Sequence, residues 1–345
     1  MNRKQFVQAL GLLLGTVPIL TATSQTTAAR LPGACVQPPF LFPGSVIGIT
    51  ATSGAVSTDA ISAGIQLVRS WGYQVKLGRT IGTRNGYFSG TDEERAADLQ
   101  DLLDDPQVNA IWCARGGYGL VRIIDQLDWT GFRKHPKWII GFSDVTVLHC
   151  QLHRMGFASI HGQMLAEANT GFVQTKQVLE GRPPLYQTAP LAANKTGIGE
   201  GLLVGGNLKL LETQAGTPTD LDTRGKILFI EDVNETLYNI DRMLCNLKRS
   251  GKLAELAGLI VGGFGLAKGE TAANFGRSVS DMVLEHTSGY AYPVCFDFAV
   301  GHQPANWPLK CGVPHKLEVT GRIVRLVELN DAQPANQVVL VRGND

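Results

Sequence analysis

Charge is scarce in this sequence and nearly cancels: 31 Lys and Arg against 30 Asp and Glu, 18% of 345 residues. A balance this close to zero leaves no electrostatic footprint for nucleic acid, so none is expected as a partner. Beyond the first thirty residues no apolar run is long enough to span a bilayer, and stable membrane insertion of the body is not expected. The six cysteines (Cys35, Cys113, Cys150, Cys245, Cys295 and Cys311) include no Cys-x-x-Cys pair and no Cys/His spacing suited to zinc. Buried free thiols are therefore the expectation, and neither a metal nor a cofactor is. The glycines at Gly116-Gly117 lack the Gly-x-Gly-x-x-Gly of a dinucleotide site and the Lys-Ser/Thr of a P-loop. No internal repeat runs through the chain.

What is present begins at the N-terminus. Arg3 and Lys4 precede an apolar run from about Ala9 to Leu20, then a small, polar stretch from Thr21 to Ala29. That is the layout of a secretory signal over residues 1–29, and it implies export, with the periplasm as the expected location. Arg3-Lys4-Gln5-Phe6 is similar to a twin-arginine signal with one arginine replaced. The alternative is an uncleaved N-terminal membrane anchor.

The body then alternates. Ser45–Ala51 reads as a buried strand, Thr58–Trp71 as a helix closed by Gly72, and Tyr73–Leu77 as a strand. Thr91 with Glu94 three residues on forms a capping box that opens a helix to about Leu103. Ala110–Cys113 is a third strand, followed by Arg115-Gly116-Gly117-Tyr118-Gly119. Strands alternating with helices predict an α/β domain built on a parallel sheet with both faces covered, and such sheets collect ligands beyond the carboxyl ends of their strands. A domain of residues 30–170, a connection over 171–196 holding Pro183-Pro184, and a second domain over 197–345 follow from the composition. In the second, Gly201–Asn207 leads into an apolar helix, Lys226–Glu231 and Leu259–Phe264 read as strands, Val294–Phe298 follows a helix near Val279–His286, and Gly321-Arg322 reads as the turn of a hairpin.

Three polar residues stand at or just past the ends of apolar strands: Ser143, Glu231 and His302. Ser143 follows Trp138-Ile139-Ile140-Gly141-Phe142 and precedes helix-forming residues, a strand-to-helix turn that would expose its hydroxyl near helical N–H groups. A serine needs a base, histidine serves near neutral pH, and a carboxylate holds the imidazole in one tautomer. Other uses remain open from the residues alone. Ser143 could be a helix N-cap. Asp232 and Glu235 compete with Glu231, His302 could be a loop histidine bonded to backbone, and His149 and His153 fit packing or surface roles. Gly116-Gly117 could be a tight turn and nothing more, or could offer backbone N–H groups to an anion.

Seven stretches in order carry a resemblance: Phe42–Ile49, Gly86–Leu99, Ala114–Gly119, Ile140–Thr146, Gly205–Leu208, Ile230–Glu235 and Val300–His302. With them the chain resembles the LD-carboxypeptidases, serine peptidases whose members include muramoyltetrapeptide carboxypeptidase and the microcin C self-immunity peptidases. The resemblance implies a flavodoxin- or Rossmann-like N-terminal domain, a C-terminal mixed α+β domain of barrel type, and an active site between them. It implies Ser143 as nucleophile, Glu231 and His302 as its partners, and the N–H groups of Gly117 and Asp144 as oxyanion hole. The implied substrate is a muropeptide tetrapeptide losing a C-terminal D-amino acid, D-alanine in the expected case, and the implied assembly is a homodimer. Arg115 is a candidate for the substrate carboxylate, with a structural ion pair as the alternative. Hydrolysis of a peptide–nucleotide antibiotic, with Trp307 as a candidate base stack, and a catalytically inactive muropeptide-binding protein are the other readings. Gln163 and Asn306–Gly312 depart from the family's usual sequence, and Val145 stands where a Gly-x-Ser-x-Gly elbow has its second glycine.

Overall fold

A computed structural model describes residues 35–167, 171–182 and 184–329. The signal expected over residues 1–29 lies outside the described residues. The strands of the first half are β1 (Val46–Thr50), β2 (Gln74–Leu77), β3 (Val108–Cys113), β4 (Trp138–Gly141) and β5 (Ser159–His161). Those of the second are β6 (Tyr186–Thr188), β7 (Gly197–Asn207), β8 (Ile227–Glu235), β9 (Gly258–Leu266), β10 (Val294–Cys295), β11 (Leu309–Cys311), β12 (Pro314–Val319) and β13 (Val324–Glu328).

The first sheet has the order β11-β5-β4-β3-β1-β2 and is parallel except at β11. Its strands read as unbroken apolar runs because both faces are covered. In β3, Ala110 and Trp112 face one buried cluster with Ile49, Ile140 and Phe172, while Ile111 and Cys113 face another with Leu102, Ile139 and Leu148. The second sheet, β10-β9-β8-β7-β12-β13-β6, is parallel from β10 to β7 and antiparallel from β7 to β6. Leu228, Ile230 and Val261 face the helix Leu237–Arg249, and Ile227, Phe229 and Ile260 face Leu317 and Phe298. The fold is thus α/β, a parallel sheet joined to a mixed one. The hairpin at Gly321-Arg322 pairs Val319 with Val324.

Two features depart from the expected layout. The stretch 171–196, expected as a connection, holds the helix Gly171–Leu179 and strand β6. Phe172, Val178 and Leu179 of that helix are buried in the first core, the Phe172 ring stacking on Trp112 at 5.1 Å. Nine residues carry too short an apolar pattern to compete by eye with the prolines after them. The second departure is β11. It belongs to the second half of the sequence but pairs antiparallel with β5, Leu309 opposite His161, as an edge of the first sheet. The halves also join at Thr146, whose hydroxyl accepts the Asn207 N–H at 3.0 Å; a Cβ on Gly206 would collide with that threonine. No helix among the described residues is long and apolar enough to cross a membrane.

Candidate active site

The site begins where β4 ends. Gly141 has no room for a side chain: a Cβ there would lie 2.8 Å from Cγ2 of Val145. The valine in the second-glycine position of the elbow thus fills the space that the first glycine leaves. Between them Ser143 takes a left-handed backbone, φ 60°, rare for a residue with a Cβ. That conformation costs about 1–2 kcal/mol. Burial of Phe142 and Val145 on either side contributes about 1.5–3 kcal/mol each and outweighs it. The turn continues as a short 3₁₀ segment, Ser143–Val145, into the helix Thr146–Arg154, and neither start has a side-chain cap. Ser143 is therefore not an N-cap, and its hydroxyl stays half-buried at the rim.

Three rim turns are tied together around it. The buried Asp144 carboxylate accepts the Ser53 hydroxyl at 2.5 Å and the Leu120 N–H at 2.9 Å. Burial pushes its carboxyl above the usual range, with the Ser53 and Leu120 bonds opposing. Gly54 N–H donates to Gly116 O at 3.1 Å. From the capping-box helix Asp92–Asp104, the fully buried Arg95 donates to Thr52 O at 2.6 Å and Gly119 O at 3.0 Å, beneath the Phe88 ring. A Cβ on Gly116 would stand 3.3 Å from the Ser143 hydroxyl oxygen, so that turn lies directly against the serine. Gly117 follows with φ 110°. Arg115 is exposed, donates to Ala55 O at 2.5 Å, and has no ion pair among the described residues, which removes the structural-pair alternative.

The second half brings a carboxylate and an imidazole. Glu231, in β8, is fully buried. Its Oε2 accepts both His302 Nδ1–H at 2.6 Å and His302 N–H at 3.1 Å. Because that oxygen already accepts a backbone N–H, it serves the ring as an acceptor too, which puts the ring proton on Nδ1 and leaves Nε2 as the basic nitrogen. Gly301, at φ 95°, makes this possible, since a Cβ there would collide with the Glu231 side chain. Asn306 accepts the Gly301 N–H at 2.9 Å and holds the loop. The His302 ring rests 4.7 Å from the ring of Phe142, the residue before the serine.

The competing residues are engaged elsewhere. Asp232 accepts from Asn207 Nδ2 at 2.8 Å, Lys209 N–H at 3.0 Å and Val233 N–H at 2.8 Å, and burial holds its carboxyl up at about 6. Glu235 binds Asn239. His149 is buried, with Nε2 bonded to Gly141 O and Nδ1 to the Ser159 hydroxyl, both at 2.8 Å. His153 meets Cys35 Sγ at 3.4 Å. Trp307 is half-buried and packs against Phe298 and Tyr186 at 5.4 and 5.7 Å. His161, not singled out from sequence, is fully buried between Phe142 and Phe229, and burial, then His149 and His302, keeps it far below the usual histidine range. Among the described residues Cys113, Cys150, Cys245, Cys295 and Cys311 are free thiols, and no group of three His, Cys, Asp or Glu could hold a metal.

The geometry can be set beside known proteins. Residues 47–162 match the LD-carboxypeptidase N-terminal domain and residues 200–317 the LD-carboxypeptidase C-terminal domain. A probable murein peptide carboxypeptidase of Bacillus subtilis (strain 168) is 36% identical over 280 residues, 77% of this chain and 86% of that protein. The crystal structure of muramoyltetrapeptide carboxypeptidase from Oxalobacter formigenes superposes with a TM-score of 0.74 at 28% identity, covering 83% of this chain and 99% of that one. The microcin C7 self-immunity protein MccF in complex with aspartyl sulfamoyl adenosine shares the fold, with a TM-score of 0.76 at 21% identity over 86% of this chain and 100% of that one. The chain belongs to the LD-carboxypeptidase family.

Proposed function

We propose that the protein is a serine LD-carboxypeptidase that releases a C-terminal D-amino acid, D-alanine in the first instance, from muropeptide tetrapeptides in cell-wall turnover. The observation that carries the reading is the Glu231–His302 pair, 2.6 Å apart, held against Phe142 beside a serine at φ 60°. In this reading the Ser143 Oγ–carbon bond forms as its proton passes to His302 Nε2, and the carbonyl π pair moves onto oxygen. The N–H groups of Gly117 and Asp144 receive that oxyanion; one such donor contributes about 3–4 kcal/mol to lowering a barrier of this kind. Glu231 stabilises the imidazolium and keeps its orientation. The C–N bond then breaks, His302 returns the proton to the leaving amine, and water hydrolyses the acyl-serine by the same route. Arg115, exposed beside the serine's rim, supplies a cation for the substrate's terminal carboxylate.

The test is D-alanine release from a muropeptide tetrapeptide by the wild type and by Ser143→Ala. A loss on the order of 10⁶ in kcat is expected; equal rates would remove Ser143 from the mechanism. The antibiotic-hydrolase alternative is the less well supported: the murein peptide carboxypeptidase relative is 36% identical, the microcin C7 self-immunity structure 21%. Export, inferred from the basic-apolar-small layout of residues 3–29, and a homodimer, implied by the family resemblance, complete the proposal. Cell fractionation and a solution mass measurement would refute either one, by finding the protein in the cytoplasm or as a monomer.

A further inference from the structure

The Tyr87 phenol is the feature near the site that no role above uses. It sits on the loop between β2 and the helix Asp92–Asp104, and that loop is pinned to the rim. Ala55 N–H donates to Tyr87 O at 3.0 Å, Ser89 N–H to Ser53 O at 3.1 Å, and Gly54 bridges to Phe88. The Tyr87 ring stands edge-on to Phe88 at 5.4 Å, and Phe88 is in turn backed by the buried Arg95. The ring is thus positioned from below while the residue remains 53% exposed, open to a substrate. Its hydroxyl points at Gly117: a Cβ on that glycine would collide with the phenol oxygen. Since Cβ and N of one residue are roughly 2.5 Å apart, the oxygen lies within about 5 Å of the Gly117 nitrogen. Gly116, one residue back, faces the Ser143 hydroxyl. The Gly116-Gly117 turn therefore meets the nucleophile at its first glycine and an O–H donor at its second. A donor held in place by a rigid loop costs no reorganisation when charge develops, which is the condition under which it stabilises a transition state rather than a ground state.

We propose that Tyr87 is a third oxyanion donor, its O–H directed at the same developing oxygen as the Gly117 N–H. The inference rests on the serine-peptidase reading above. Tyr87→Phe keeps the ring and its packing and removes only the hydroxyl. The expected result is a fall in kcat on the order of 10²-fold for D-alanine release, with KM within about threefold and the thermal midpoint unchanged. A second readout is independent of the natural substrate: the rate at which a fluorophosphonate modifies Ser143. There the Oγ–P bond forms, P–F breaks, fluoride leaves, and the serine proton passes to His302. The phosphoryl oxygen occupies the place of the oxyanion, so this rate should fall in parallel. A wild type that releases no D-alanine but is phosphonylated at Ser143 would overturn the substrate assignment alone. Tyr87→Phe with both rates within threefold of wild type, or with the whole loss in KM, would overturn the inference.

Discussion

Glu231 holds both the Nδ1–H and the backbone N–H of His302 on a single carboxylate oxygen, at 2.6 and 3.1 Å. One oxygen therefore fixes the ring's tautomer and the loop that carries it. Glu231→Gln keeps the shape but can turn an NH₂ toward Nδ1 and reverse the tautomer. The expected fall in kcat is on the order of 10⁴, with the fold retained, as read from steady-state kinetics and thermal melting. Loss of less than about tenfold would mean that the histidine's orientation is held by other groups.

Ser143 holds its half-buried place at the rim with a left-handed backbone. Ser143→Gly removes that strain, against the extra freedom that glycine has in the unfolded chain, about 0.4–1 kcal/mol. A net gain of about 1 kcal/mol in unfolding free energy, together with complete loss of hydrolysis, is expected from denaturant titration and activity measured on one preparation. A destabilised variant would show that the serine side chain contributes to packing and that the elbow is not strained.

Acid should destabilise the protein from below neutrality. His149 and His315 are buried, and burial lowers each from the usual 6.5 to about 4; His161 is depressed as well. In the unfolded chain these rings take a proton as pH falls through 6.5, while the folded rings stay neutral. Unfolding then binds protons, so stability is lost between about pH 6.5 and 4, at about 1.4 kcal/mol per pH unit for each ring. His153, also lowered to about 4 by burial, adds to them; Asp232, raised to about 6, and Asp144, raised by burial, act the other way because there the folded state holds the proton, but they are two groups against four. Denaturant titrations at several pH values should show this slope, and His149→Gln, which can still reach Gly141 O, should reduce it by about one proton. An unchanged slope in that variant would mean that His149 is not neutral in the fold.

The elements that could be read from sequence are those with a local cause. Buried strands of a covered parallel sheet show as unbroken apolar runs, and Ser143, Glu231 and His302 stand out because polar residues at such strand ends face a rim. The Thr91–Glu94 box is local too, and its reciprocal bonds form at 3.2 and 2.8 Å. What was not legible depends on contacts distant in the chain. Asp144 looks like an ordinary helix-start acid, yet its carboxylate belongs to Ser53 and Leu120. Arg95 sits in a highly charged stretch that reads as a solvated face, and only the return of Thr52 and Gly119 over it makes it an interior residue. Choosing Glu231 over Asp232 required knowing which side of β8 faces His302, and alternation along one strand does not say which side that is.

Strand β11 comes directly after the loop that bears His302 and completes the sheet on which Ser143 rides. The first half of the chain therefore does not own all of its own framework. A ribosome-bound chain that has reached residue 300 already carries the hydroxyl and the acid, but the sheet beneath the hydroxyl still has a bare edge along Ser159–His161. The residues that finish that edge and the imidazole arrive together, so hydrolytic competence comes late in synthesis, when one short segment closes both halves at once.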